Sequence, residues 1–150
     1  MSGVNGVVTA KRVNGFFMQD LAPDTDPRTS EGIFVFTNAP PANVSPGDGV
    51  QVAGTVAERR QGVDAASNAN LTVTQINASS VTVLSSGNPL PRPVVIGAGG
   101  RIPPARVIED DASGNVETGG VFDPSTDGID FYESLEGMIA RQRVSARIRG

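Results

Sequence analysis

The sequence has no cysteine, and that absence removes disulfides, thiolate metal sites and cysteine nucleophiles together. Histidine is missing too, which excludes a Ser-His-Asp triad, an imidazole base working near neutral pH and imidazole metal ligands. Any catalysis would have to rest on carboxylates, Lys11, Tyr132 or a bound metal. No apolar run approaches the roughly 18 residues of a membrane-spanning helix, so no membrane partner is expected. The opening MSGVNGVVTA lacks the basic start and apolar centre of an export signal, and in an exported protein the signal is expected to lie outside this chain.

What is present points to one domain with long connections, because 150 residues include 18 glycines and 11 prolines. The net charge of −4 argues at first against a polyanionic partner, but the charge is unevenly spread. Residues 1–100 carry 6 basic and 7 acidic side chains, residues 101–137 carry 2 and 9, and residues 138–150 carry 4 and none. A local basic face on the nearly neutral N-terminal body is therefore compatible with the total.

Helical periodicity is almost missing, whereas short runs of Val, Ile, Thr and Phe recur between turn residues, the pattern of an all-β barrel or sandwich. Strands are expected near 4–13, 15–20, 32–37, 49–58, 71–76 and 80–85. Asn14-Gly15 is read as a type I′ hairpin turn, with Val13 opposite Phe16 and Arg12 opposite Phe17, so that Arg12, Phe17 and Gln19 share an outer face. After the Ser45 to Gly49 turn cluster, Val50, Val52 and Val56 alternate with Gln51, Ala53 and Thr55, and Gly54 is expected at a bulge or sharp coil. Strongly bent strands in so short a stretch favour a closed five- or six-stranded barrel over residues 4–86.

Beyond it, prolines at 89, 91, 93, 103 and 104 imply an extended strap, and residues 87–137 read as a proline-rich and acidic extension packed on the barrel or flexible beside it. Residues 131–136 are expected to form one helical turn, and residues 138–150 the start of a further, truncated strand.

The stretch from Val94 to Gly100 imitates a dinucleotide-binding turn, but Ile102 stands where the third glycine belongs and Pro103-Pro104 follow where a helix should open; a flexible linker is the expected form. Asp20, Asp24, Asp26 and Glu31, and separately Asp123, Asp127 and Asp130, offer oxygen-only clusters of the kind that hold a structural calcium ion, with solvated turn residues as the alternative. Glu133 and Glu136 offer a carboxylate pair, with the solvated face of a short helix as the alternative. Lys11, Arg12, Phe17, Gln19, Arg59 and Arg60 mix cations, an amide and a ring. Single-stranded nucleic acid is held by such a mixture, phosphates by the cations and bases on the rings, although core rings with rim arginines would read the same way.

Seven stretches carry a family resemblance. Gly6 to Ala10, Gly15 to Asp20 and Ser30 to Phe36 come first, followed by Gly47 to Glu58, Thr74-Gln75-Ile76, Gly120 to Asp123 and Asp127 to Met138. Together they resemble the OB-like accessory domain of large extracellular bacterial nucleases of the endonuclease/exonuclease/phosphatase type. Gly49-Val50 and the more basic Arg59 to Val63 depart from that pattern. The resemblance implies an OB-like barrel and an extracellular or periplasmic, non-catalytic module; a monomer is expected. It further implies a parent protein that is a metal-dependent nuclease, with its catalytic domain adjacent, for which this module binds or positions nucleic acid. A structural spacer docking on that catalytic domain, or a carbohydrate- or surface-binding module, are the alternatives.

Overall fold

The computed structural model describes residues 3–41, 43–60, 62 and 70–143. Five strands, β1 (Val4–Arg12), β2 (Gly15–Gln19), β3 (Gly32–Phe36), β4 (Gly49–Arg60) and β5 (Thr72–Ser85), close into a barrel in the order β1-β2-β3-β5-β4. All neighbours run antiparallel except β3 and β5, which pair in parallel and so place the long β3 to β4 connection across one end. The interior is filled by Val8, Phe16, Met18, Val35, Val44, Val50, Val52 and Ile76. These are the inward members of period-two strands, and burying β-branched and aromatic side chains on one face of each strand is what makes closure favourable.

The hairpin differs from the expectation by one residue. Its loop is Val13-Asn14, and the ladder pairs Arg12 with Gly15, Lys11 with Phe16 and Ala10 with Phe17. A slip between Val8 and Ala10 places Thr9 as an extra residue in β1, a bulge of the kind that increases local twist. Asn38 is the one described non-glycine residue with positive φ, so Val13-Asn14 is not a type I′ turn. Gly15 is required for another reason: a Cβ there would lie 2.1 Å from the Val35 carbonyl oxygen on β3.

The two expected strands at 71–76 and 80–85 are one 14-residue strand, β5. Residues 77–79, left between the two expected strands, belong to it as well: the strand continues through them because slips opposite Ala53/Gly54 and Gly49/Val50 absorb Ser79 and Leu84. A Cβ at Gly54 would meet the Asn77 oxygen at 2.3 Å, so β4 and β5 can approach here only through glycine. Val50 and Val52 are buried, whereas Val56, past this point, is 41% exposed and leaves the core.

The chain after β5 folds back over the barrel. Asn88 donates through its backbone N–H and its side chain to the Gly47 oxygen. Val94 to Gly100 is not a linker: β6 (Val94–Gly97) pairs in parallel with β7 (Ala140–Arg143), and the turn after it is closed by Arg101 N–H to the Val95 oxygen. The helix, α1 (Gly128–Glu133), begins three residues before the expected turn because Gly128 and Ile129 N–H groups dock on the Val107 and Ile108 oxygens. Of the strand expected over 138–150, residues 144–150 lie outside the described residues.

Candidate functional site

The outer face of the sheet near the β1–β2 hairpin carries a groove of about 610 Å³, lined by Lys11, Arg12, Phe17, Phe34 and Val73 together with the hairpin loop. Phe17 and Phe34 are cross-strand partners on β2 and β3, and their ring centroids stand 5.0 Å apart at a tilt of 53°. Arg12 leans diagonally over Phe17, its guanidinium carbon 5.8 Å from the ring centroid. Phe17 is half-buried and Phe34 is buried, so Phe17 presents the more accessible ring, with Phe34 beside it on the next strand. Val73 brings β5 to the groove, and Arg59 is its cross-strand partner on β4, exposed at the far edge. Cations at the rim and a ring within suit an anionic ligand that also bears flat groups.

Two of the residues grouped with these by sequence are engaged elsewhere. Gln19 lies on the same face as Phe17 but is only 3% exposed, because the returning chain covers it and Ile139 N–H donates to its Oε1 at 2.7 Å. Arg60 is half-buried and paired with Glu117 at 2.7 Å. Glu117 also accepts from the Thr72 N–H and hydroxyl; these bonds, with Arg60 adding to them, hold its carboxyl below the usual range. Gln19 is thus closed off by the covering chain, whereas Arg60 keeps 27% of its side chain exposed with its charge already matched by Glu117. Phe34 was invisible as a site residue in the sequence, since an alternating Ile33-Phe34-Val35 run does not say which ring faces out. The signal that could have found it is its direct pairing with Phe17.

The covering chain rests on a glycine pair. A Cβ on Gly32 would come within 2.4 Å of the Gly137 backbone, and Gly137 itself has φ +71°. Ser30 and Thr74 fix the same stretch, Ser30 donating to the Glu136 oxygen and Thr74 N–H donating to the Glu136 carboxylate.

Around that end of β4 and β5 several carboxylates converge. Burial, followed by repulsion from Glu136, Glu117, Glu58 and Asp130, pushes Glu133 up to about 7, and burial chiefly raises Glu136 as well. Because the folded-state value of Glu133 lies above the unfolded one, folding takes up a proton between these two values. Stability from this group is thus full below the ordinary glutamate value and falls as pH rises towards 7. Glu133→Gln should therefore raise the melting temperature at pH 8 and change it little at pH 4. The gain should be on the order of 1 kcal/mol, since a half-exposed carboxylate is screened by solvent. Melting curves of both proteins at the two pH values check this.

The oxygen clusters also sort themselves. In the β2–β3 connection, Asp20, Asp24 and Asp26 accept from the N–H groups of Ala22, Asp26 and Arg28, each two residues on, as turn-forming aspartates do, and Asp26 pairs with Arg28. A cavity of about 420 Å³ beside them is lined by Asp20, Asp24, Asp26 and Glu31 with Arg92 and Arg101, a surface that repels phosphate on balance.

Asp123, Asp127 and Asp130 do not form a shared ligand set. Asp123 accepts from Ser125, which lowers its pKa, and Asp130 accepts from the Asp123 N–H. Asp127 instead joins Glu109 and Asp111, with oxygens of all three within 4.8 Å of one another. Burial raises its pKa, and Asp110, Glu109, Asp130 and Asp111 add repulsion.

The described residues thus define a mostly-β protein built on a closed five-stranded barrel, with a cation- and ring-lined groove on its outer face and a C-terminal segment folded across the strands beside it. Residues 95–146, from β6 through β7, match a family described as "Domain of unknown function (DUF8508)". No curated protein and no solved structure matches the chain.

Proposed function

We propose that this chain is a non-catalytic module that binds single-stranded nucleic acid weakly and with little sequence preference, and that it serves a secreted nuclease whose catalytic domain lies elsewhere. The observation that carries this reading is the groove of Lys11, Arg12, Phe17 and Phe34 on β1, β2 and β3. A five-stranded barrel of the OB type uses its β2–β3 face for oligonucleotides, and both rings sit on those strands. Lys11, Arg12 and Arg59 are the exposed cations of the surface, while Arg60 is neutralised by Glu117. The nuclease context rests on the sequence resemblance, and with it the extracellular or periplasmic location.

Three cations set the size of the expected salt effect. Titration of a labelled single-stranded oligonucleotide at several salt concentrations should give a slope of log affinity against log salt near −2, at about −0.7 per phosphate contact. Absence of binding at low salt, or a much steeper slope, would count against the groove as the binding surface.

A second reading, a spacer that docks on a neighbouring domain, is favoured by the exposed Ile102, Ile108, Val121 and Phe122 of the segment after β6. In that case stability should rise when the adjacent domain is added, and oligonucleotide should have no effect.

A further inference from the structure

The strongest unexplained feature lies outside the groove, where α1 begins. Asp127 occupies the residue before the first helical turn, a place where an aspartate ordinarily accepts a hydrogen bond from a helix N–H, yet its side chain makes no such bond. It is 2% exposed, and its Oδ1 has no hydrogen-bond partner at all. A buried, unsatisfied carboxylate oxygen is costly, and the side chain that carries it sits among two further carboxylates: one oxygen each of Asp127, Glu109 and Asp111 lie within 4.8 Å of one another. Those two are held in place by backbone donors: Asp111 and Ala112 N–H groups to Glu109, and Val121 N–H to Asp111. The start of the helix is fixed against the same segment by the bonds of Gly128 and Ile129 to Val107 and Ile108. Position 120 is glycine, and a Cβ there would stand 2.5 Å from Asp111 Oδ1 and 3.3 Å from Glu109 Oε1, so only the missing side chain keeps the space beside these oxygens clear.

We infer that Glu109, Asp111 and Asp127 form a binding site for a divalent hard cation of calcium's size. Oxygens bound to one calcium ion at about 2.3–2.6 Å can be at most roughly 4.6–5.2 Å apart, and the three carboxylates meet that limit. An all-oxygen donor set selects calcium or magnesium over the softer metals, and three carboxylates drawn from two separate segments suit the flexible coordination of calcium better than the near-ideal octahedron that magnesium demands. A bound cation gives Asp127 Oδ1 the partner it lacks and ties the 109–111 segment to the start of α1. The role is structural, and it is independent of the nucleic-acid reading.

The test is calorimetric titration of the chelator-stripped full chain with calcium chloride, beside melting curves with calcium, with magnesium and with chelator. One-to-one binding of calcium is expected, tighter than magnesium. A hundredfold excess over Kd should raise the melting temperature by about 5–10 °C. Asp127→Asn and Asp111→Asn should each weaken calcium at least about tenfold. Both variants are built to fold, since asparagine suits the position before a helix and can keep the acceptor for Val121. Asp24→Asn, which lies outside the cluster and is bonded within the β2–β3 connection, should bind as the parent does. No binding heat at millimolar calcium, binding unchanged in both cluster variants, or an equal loss in Asp24→Asn would each overturn the assignment.

Discussion

Phe16→Ala is expected to lower the stability of this protein by about 3–5 kcal/mol, a large part of what a domain of this size has to lose. Phe16 is fully buried at the centre of the barrel, packed in one cluster with Val8, Met18, Val35 and Ile76. Truncation removes a ring from water-free surroundings and leaves a cavity that the closed strands cannot collapse, because each is fixed by ladder bonds on both sides. Denaturant melts of the variant and the parent measure it. A loss under about 1 kcal/mol would mean that the barrel interior is not packed as described.

Its neighbour should behave in the opposite way. Phe17→Ala should weaken single-stranded nucleic acid by roughly 1–3 kcal/mol, about 5- to 150-fold, if a base stacks on its ring. Its effect on stability should be clearly smaller than that of Phe16→Ala, because Phe17 is only half-buried. Adjacent residues of one strand point to opposite faces, so the two variants separate packing from binding within a single dipeptide. Oligonucleotide titration and melting of the two variants side by side give the comparison. Equal binding by Phe17→Ala and the parent would remove the ring from the site.

Strand identity was legible in the sequence wherever period-two alternation ran uninterrupted, as over Val50 to Val52 and Ile33 to Val35. It failed where tertiary pairing overrode local chemistry. Asn77 to Ser80 has turn composition, yet β4 supplies a partner for every residue but the bulged one, so the strand runs through. Asn14-Gly15 has hairpin chemistry, yet Gly15 is held in β2 by its approach to Val35, and the loop moves one residue back.

The candidate site was legible only in part for a related reason. Alternation placed Phe17 and Gln19 on one face, but nothing local says that a chain more than a hundred residues later returns to cover Gln19. The pairing of Arg60 with Glu117 and the meeting of Asp127 with Glu109 and Asp111 are likewise products of that return. Spacing along the chain grouped Asp127 with Asp123 and Asp130, whereas folding chose other partners.

Whether the hairpin groove receives single-stranded nucleic acid is decided by residue-resolved NMR titration of the labelled chain with a short single-stranded oligonucleotide at low salt. The predicted result is progressive shifts at Lys11, Arg12, Phe17, Phe34 and Val73, reversed by added salt, with Glu133 and its neighbours in α1 unmoved. Shifts confined to β6, β7 or the acidic segment, or no shifts at all, would contradict it.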